Sequence, residues 1–339
     1  MLRPLAITLG DPAGIGPEII ARAFRDAPRD TAGCFVAGDL ASMRRGATFV
    51  AREGVAGIPV ALIGTPAEAA GVPPRTIPLL QVARPAGRAV PVGQVDAEGG
   101  RIAAECVIWA ARAALSGEIA SLVTAPLHKE ALAAAGVPFP GHTELLQAEA
   151  AAHLGRPVAE VPVRMMLAND ELRTVLVSIH LSLREAIAAV TRENVLQTLR
   201  ITRESLRRVL GREPHIAAAG LNPHAGEGGL FGREEVETIA PAIAEARAEG
   251  ANVSGPFAPD TVFMRARTGE FDAVVAMYHD QGLIPVKYLG VEKGVNVTLG
   301  LPLVRTSPDH GTAFDIAGTG RADPSSLIEA VRMARRLAG

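Results

Sequence analysis

The stretch PLAITLGDPAGIGPEII, residues 4–20, joins a short apolar run to an amphipathic segment through a tight loop. The run PLAITL is typical of a buried strand. Pro17 and Glu18 suit the first turn of a helix, where a proline loses no hydrogen bond and the helix dipole favours an acid. The loop matches neither G-x-G-x-x-G nor G-x-x-x-x-G-K, so it does not indicate those nucleotide-binding loops. A tight strand-to-helix turn is the simplest interpretation.

The same alternation of strand-like and helix-like segments continues along the chain. Further short apolar runs are separated by amphipathic segments, and each of the three longest ends on glycine. The predicted strands are GCFVAG, ASLVTA, RTVLVSI, HIAAAG and FDAVVAMY, and the predicted helices are AECVIWAARAALSG, ENVLQTLRITRESLRRVLG and EEVETIAPAIAEARAEG. Such alternation predicts an α/β protein with a largely parallel sheet.

The composition narrows the class of protein. The 339 residues include 34 basic and 36 acidic side chains, for a formal charge of -2, which lacks the basic surplus of a nucleic-acid binder. Cys34 and Cys106 are far apart and predict neither a disulfide framework nor a cysteine zinc site. Asp11 and Pro12 interrupt the first apolar run before it could serve as a signal peptide or a membrane span. A soluble cytoplasmic protein, with no nucleic-acid or membrane partner, is expected.

The length predicts two domains or one large α/β unit. No repeat or low-complexity tract marks a linker, so the boundary is expected in an ordinary loop. The Pro- and Gly-rich GVPFPGHTE, residues 136–144, is the first candidate, and composition does not fix where the chain crosses back.

Three of the eight histidines follow predicted strands. His180 closes RTVLVSIH, His224 follows HIAAAGLNP, and His279 follows FDAVVAMY. Ligands gather at the carboxyl ends of strands in an open α/β sheet, so the three imidazoles predict a divalent-metal site with positions left for substrate. The glycines of GLNPHAGEGG, residues 220–229, would let the backbone approach a ligand closely. The histidines expected to have structural roles are His153 and His215.

Several long motifs, spread over nearly the whole chain, resemble one family. They are TLGDPAGIGPE, TAPLHKEAL, GHTE, GLNPHAGEGG, MYHDQGLIPVKY and GVNVTLGLPLVRTSPDHGTAFDIAG. Together they resemble the 4-hydroxythreonine-4-phosphate dehydrogenase family of vitamin B6 (pyridoxal phosphate) synthesis. The turn GIGPE and the loop HGTAFDIAG also resemble the opening turn and the adenosine-binding loop of isocitrate and isopropylmalate dehydrogenases.

The resemblance implies two α/β/α domains with a central cleft, as in isocitrate and isopropylmalate dehydrogenases. One discontinuous domain, residues 1–138 and 285–339, would carry the dinucleotide-contacting loop. A central domain, residues 139–284, would carry the metal and dimer-interface residues. The resemblance also implies a homodimer whose active sites are shared between subunits.

Roles for individual residues follow from the same resemblance. The implied metal ligands are His180, His224 and His279, the same three that follow the predicted strands. The implied substrate contacts are His142, Thr143, Lys287, Asn296 and Arg305, and the implied cofactor contacts are His310 and Asp315. Asp260 and Asp280 are candidates for proton transfer or for orienting a ligand, and neither role is assigned.

The implied chemistry is a metal-assisted oxidation with NAD or NADP, followed by loss of carbon dioxide. One divalent ion, zinc, magnesium, manganese or cobalt, would hold the substrate's C3 hydroxyl and stabilise the developing alkoxide. The substrate would be 4-phosphooxy-L-threonine and the product 3-amino-2-oxopropyl phosphate. Cations and a helix N-terminus after GHT suit the phosphate of such a substrate.

Two alternatives remain open. The segment LLQAEAAAHLGRPVAEVP, residues 145–162, is longer than expected for the B6-pathway members, and paralogues acting on 4-phospho-D-threonate or 4-phospho-D-erythronate resemble the same pattern. GHTE together with Lys287 and Arg305 favours these phosphorylated substrates over the dihydrodiols of a related branch. Phosphate acyltransferases share a related architecture, but they would need neither the three histidines nor HGTAFDIAG.

Overall fold

A computed structural model describes residues 3–51 and 57–339 of the chain. The strands in these residues are β1 Leu5–Thr8, β2 Cys34–Gly38, β3 Val60–Ile63, β4 Ile77–Gln81, β5 Ser121–Thr124, β6 Arg164–Ala168, β7 Arg173–Leu176, β8 Ile216–Ala219, β9 Val253–Phe257, β10 Ala273–Ala276, β11 Val295–Leu299 and β12 Arg305–Pro308. The helices are α1 Gly16–Asp26, α2 Leu40–Phe49, α3 Ala97–Leu115, α4 Lys129–Ala134, α5 His142–Leu154, α6 Leu183–Ala189, α7 Arg192–Leu210, α8 Ala240–Ala248, α9 Pro259–Arg267, α10 His279–Tyr288 and α11 Ser325–Ala338. None of the helices in the described ranges combines the length and the apolar character needed to cross a membrane. The predicted α/β class is confirmed.

The chain forms two compact units, of which the first is discontinuous. It comprises Met1–Pro162 and Leu301–Gly339, and the second unit comprises Val163–Gly300. These boundaries differ from the expected crossings near residues 138 and 284. Helix α5 packs against α3, which keeps residues 139–162 in the first unit. Helix α10 packs against β6 and β7, and β11 pairs with β6, which keeps residues 285–300 in the second.

The sheet of the first unit has the strand order β3-β4-β2-β1-β5-β12. Every pairing in it is parallel. Strands β1 and β5 are completely buried, as expected for central strands of a parallel sheet. Their carboxyl ends lead into the opening turn and into the loop before α4. This edge is where an α/β sheet normally binds its ligands.

The second unit has the strand order β11-β6-β7-β10-β8-β9. Strand β6 pairs antiparallel with both β11 and β7, while β7, β10, β8 and β9 run parallel to one another. The core under α9 and α10 includes Leu176, Phe263, Val274 and Leu283. The neighbouring strands β7, β10 and β8 are those whose ends precede the three candidate histidines, so the predicted strand ends do lie side by side.

Six of the described strands were not predicted, namely β3, β4, β6, β9, β11 and β12, and two of them lack an apolar run for identifiable reasons. Strand β9, VSGPF, contains a glycine and a proline, which are both depleted in strands. Strand β12, RTSP, is polar although all four of its residues are buried. Periodicity detects apolar runs, so neither segment carried the signal.

Candidate active site

His180 and His279 lie together at the carboxyl edge of the second unit's sheet. His180 follows β7, and His279 is the first residue of α10, directly after β10. Their ring centroids are 5.9 Å apart. Both line a cavity whose other walls include Ser178, Leu183 and Tyr278. Two imidazoles of one chain therefore face a common space.

The two histidines have distinctive local geometry. His180 has a φ of +51°, a left-handed conformation that is rare outside glycine and that occurs disproportionately at functional sites. The Nδ1 of His279 is 2.7 Å from Oδ1 of Asp280. In the neutral imidazole this contact places the proton on Nδ1 and leaves Nε2 with a lone pair, the state that binds a metal. Asp280 itself is exposed.

His224 is held apart from this pair within the single chain. It is exposed, and its nearest aromatic neighbour is Phe231, with 6.1 Å between ring centroids. In the part of the chain that the structure describes, no group of three histidine, cysteine, aspartate or glutamate side chains is close enough to hold a metal ion. The strand ends are adjacent, but the loop after β8 carries His224 away from them.

Exposed apolar side chains lie close in the sequence to both parts of the histidine set. Leu181, Leu183 and Ile187 are 44% to 60% exposed beside His180. Leu230, Phe231 and Val236 are 47% to 73% exposed beside His224. Exposed apolar groups mark interaction surfaces where they form a patch, so each segment offers residues for an interface.

In the first unit, His142 and Arg305 form a buried polar cluster. Arg305 is 4% exposed, and its Nε and Nη2 donate to Thr124 Oγ1 over 3.0 and 2.7 Å. Burial lowers the pKa of the Arg305 guanidinium to about 10, so it remains charged at neutral pH. Burial also drives the pKa of His142 well below its ordinary value, with the Arg305 charge adding to the effect. The cluster thus combines a cation with a neutral imidazole.

The neutral imidazole of His142 has an unused atom. Its Nε2 is buried and has no hydrogen-bond partner among the residues that the structure describes, although a buried polar atom of this kind normally has one. His142 and Thr143 also open α5, after Gly141, as the expectation of a helix N-terminus at GHTE requires. A bound anion would meet a guanidinium, an imidazole and backbone N–H groups.

The two other expected substrate contacts belong to the second unit. Lys287 lies half-buried in the last turn of α10. Asn296 lies in β11, half-buried, opposite Leu167 of β6.

The opening turn of the chain is packed against the loop at residues 310–322. The N–H of Ile15 donates to the Thr312 carbonyl over 3.0 Å, and a Cβ on Gly14 would lie 2.8 Å from that residue. The buried carboxylate of Glu18 accepts from the N–H groups of Gly318 and Ala322 over 3.0 and 3.1 Å. The sequence pattern predicted Glu18 only as a residue of the first helical turn. Its contacts with residues about 300 positions away could not be predicted, because they leave no local signal in the sequence.

The expected cofactor residues lie on that loop. His310 and Asp315 are both exposed, and Nδ1 of His310 is 3.0 Å from the Gly311 carbonyl. Between them, the ring of Phe314 stacks on His128, with centroids 4.7 Å apart. The loop therefore presents two polar side chains to solvent from a backbone that the opening turn holds in place.

Asp11, in the opening turn, is a buried acid that the sequence did not single out. It is fully buried, and its Oδ1 accepts from Ala13 N–H over 2.9 Å, while its Oδ2 has no hydrogen-bond partner within residues 3–51 and 57–339. Burial raises the pKa of its carboxyl to about 6.

The other candidate polar residues have simpler surroundings. Asp260 is exposed in the first turn of α9. His153 is exposed near the end of α5, and His215 Nε2 is 2.9 Å from Ser254 Oγ.

The family of the chain follows from its similarity to known proteins. The family model described as pyridoxal phosphate biosynthetic protein PdxA matches residues 30–334. The chain belongs to the PdxA family. The similar proteins include a 4-hydroxythreonine-4-phosphate dehydrogenase of Beijerinckia indica subsp. indica, 52% identical over 334 residues that cover 98% of this chain and 95% of that protein. The predicted family and enzyme class, an oxidoreductase, are confirmed.

Two further PdxA-family relatives bear on substrate and fold. A D-threonate 4-phosphate dehydrogenase of Pectobacterium atrosepticum is 43% identical over 338 residues and the full length of both proteins. The crystal structure of a 4-hydroxythreonine-4-phosphate dehydrogenase from Klebsiella pneumoniae superposes with a TM-score of 0.89 at 41% identity, covering 100% of this chain and 98% of that one.

Proposed function

We propose that the chain oxidises the C3 hydroxyl of a 4-phosphorylated four-carbon acid with NAD or NADP, and that decarboxylation follows. The first candidate is 4-phosphooxy-L-threonine, converted to 3-amino-2-oxopropyl phosphate in pyridoxal phosphate synthesis. The observation that carries the proposal is the buried Arg305 guanidinium beside His142 at the start of α5, because a buried cation next to a helix N-terminus suits a phosphate. The names of the PdxA-family relatives support the redox chemistry.

A second candidate substrate is 4-phospho-D-threonate. Its support is the 43% identity, over the full length, to the dehydrogenase from Pectobacterium atrosepticum. The two substrates share the phosphate and the C3 hydroxyl and differ at C2, where an amine replaces a hydroxyl. A single hydrogen-bonding group near C2 would decide between them, since an unpaired buried polar group is costly.

The chain's own residues would bind and orient this substrate. The charges of Arg305 and Lys287 would attract the phosphate. The neutral His142 ring donates its one N–H to the Ala125 backbone, so its Nε2 would accept a hydrogen bond from a substrate hydroxyl. Thr143 and the first N–H groups of α5 add donors. Asn296 would contribute an amide to the remaining oxygens.

The residues also fit a divalent metal ion in part. His180 and His279 offer two imidazoles on one cavity, and the Asp280 contact favours the metal-binding tautomer of His279. When bound, the ion supplies a Lewis acid that acidifies a coordinated hydroxyl, and the nicotinamide of NAD or NADP supplies the hydride acceptor. Asp260 and Asp280 remain the candidates for accepting the hydroxyl proton. His310 and Asp315 are the proposed cofactor contacts.

The third imidazole, His224, would come from a second copy of the chain. Within one chain, His224 stands apart from His180 and His279. Exposed apolar groups lie close in the sequence to His180 and to His224. A two-fold dimer pairs two different patches twice, so burying the His224 patch against the His180 patch completes two equivalent sites. This homodimer rests on the apolar groups and on the family resemblance.

Metal removal tests the metal requirement. Exhaustive chelation should abolish oxidation, and added zinc, magnesium, manganese or cobalt should restore it, because the hydroxyl would otherwise keep its high pKa. Metal content, measured on the same samples, must fall with activity. Full turnover by protein proven free of metal would contradict the proposal.

A substrate panel tests the reaction itself. NADH and NADPH formation should be measured with 4-phosphooxy-L-threonine, 4-phospho-D-threonate and 4-phospho-D-erythronate, each beside its unphosphorylated counterpart. We expect one phosphorylated acid to be oxidised with carbon dioxide release, and its counterpart to react far more slowly. Absence of reduced cofactor with every phosphorylated acid would defeat the proposed function.

A further inference from the structure

The turn that carries His224 has an unusual backbone. Five consecutive residues, from His224 to Gly228, have left-handed φ values of 52°, 52°, 78°, 44° and 67°. Only Gly226 and Gly228 among them tolerate this conformation without steric strain. His224, Ala225 and Glu227 adopt it despite their side chains. Surrounding contacts must therefore hold the turn in place.

One carboxylate makes most of those contacts. Glu235, which is 2% exposed, accepts from the N–H groups of Leu221 and Asn222 through Oε1, over 2.7 Å in each case. Its Oε2 accepts from Asn222 Nδ2 over 3.0 Å. A Cβ on Gly226 would lie 2.6 Å from the same Oε2. The Glu235 side chain thus lies directly beneath the left-handed turn.

The remaining contacts link the turn to the same support. The N–H of Ala225 donates to the Asn222 carbonyl over 3.1 Å, and Asn222 Nδ2 also donates to Glu234 Oε2 over 2.7 Å. The backbone of Asn222, which Glu235 holds, is therefore the anchor from which the His224 segment starts. A buried acid that accepts three hydrogen bonds from one short segment limits that segment to one arrangement.

We propose that Glu235 is a positioning residue for His224: it holds the left-handed turn and so aims the imidazole at a divalent metal ion. The inference deepens the proposed function and rests on it. Glu235 does not contact the metal. It acts by reducing the number of conformations that His224 samples before binding, so its loss weakens metal binding through His224 alone.

The test is a calorimetric titration of metal-free protein with Co²⁺. The variant Glu235→Gln keeps the size of the side chain but replaces one acceptor oxygen with an amide NH2 group, a donor that would face the donating Nδ2 of Asn222. We expect its Co²⁺ affinity to fall by about tenfold or more, the usual effect of removing a group that orients a metal ligand. The matched control is Glu237→Gln, an exposed acid two residues away that pairs with Arg233. The control should bind Co²⁺ like the parent protein.

A double variant separates positioning from a general structural role. If Glu235 acts through His224, then Glu235→Gln adds no further loss of Co²⁺ affinity in a His224→Ala background. An equal loss in both backgrounds would overturn the inference. Amide hydrogen exchange of residues 224–228 in the metal-free protein gives a second readout, which should quicken in Glu235→Gln and stay unchanged in Glu237→Gln.

The outcomes distinguish this inference from the proposed function. Normal Co²⁺ binding by His224→Ala would remove His224 from the metal site and defeat both. Weakened binding there, with full binding in Glu235→Gln, would defeat only the positioning role. Should Glu235→Gln fail to fold, Glu235→Asp retains the charge with a shorter side chain, and parent-like affinity and exchange in that variant would count against the inference.

Discussion

Arg305 and Lys287 differ in burial, and this difference separates binding from stability at the scale of single residues. Lys287 is half-buried at the end of α10, so Lys287→Ala should raise the KM for the phosphorylated substrate about tenfold or more, the effect of losing one charge-assisted contact of about 1.5 to 3 kcal/mol. Arg305→Ala should raise KM and also lower stability, because it leaves a buried space and frees the Thr124 hydroxyl. Initial rates and melting temperatures test both changes. A KM like that of the parent in both variants would contradict the phosphate role. The control is Lys293→Ala, which changes an exposed lysine near α10.

Asp11 should make stability depend on pH. Its folded pKa of about 6 exceeds the ordinary 3.8, so the folded state keeps the proton in a range where the unfolded chain has lost it. The contribution of Asp11 to stability is thus complete below pH 3.8 and declines as pH rises to about 6, by up to about 3 kcal/mol. Asp11→Asn lacks this decline. Urea unfolding at several pH values gives the free energy of unfolding. Between about pH 4 and 6 this free energy should rise in Asp11→Asn relative to the parent. Parallel pH profiles for the two proteins would disprove the raised pKa of Asp11.

At the scale of elements, the glycines in the His224 turn are not equivalent. Gly226 has a φ of +78° and its Cβ would meet Glu235 Oε2, whereas Gly228 has a φ of +67° with open space around it. Gly228→Ala should therefore lower the free energy of unfolding only by the backbone strain, about 1 kcal/mol. Gly226→Ala should lower it by more and should also weaken metal binding. Urea unfolding and metal content of the two variants test this. Equal losses would mean that the carboxylate contact has no effect.

The strand pattern predicted that His180 and His279 lie at one edge of a sheet, the edge where α/β sheets bind ligands. The short runs RTVLVSI and FDAVVAMY located His180 and His279, whose rings do lie together. The same logic could not place His224, because five left-handed residues redirect its loop and their support, Glu235, lies in a separate helical turn. Periodicity also passed over β12, whose buried Arg305 became visible only through the family motif.

At the scale of the whole molecule, the long motifs were more informative than composition. They identified the PdxA family, which the match over residues 30–334 confirms. Composition could not locate the crossings at residues 162 and 300, since these depend on which helices pack together. Sequence periodicity likewise could not predict the proposed contact with a second copy, because the apolar residues involved are scattered in the sequence.

Subunit complementation between two inactive variants tests whether the chain is a metal-dependent dehydrogenase whose site is completed by a second copy. His224→Ala and His279→Ala should each be inactive. When the two chains are co-expressed with different tags, each mixed dimer should contain one intact site, so a random mixture should recover about a quarter of the parent activity. Purified mixed dimers that remain as inactive as either variant alone would contradict the account.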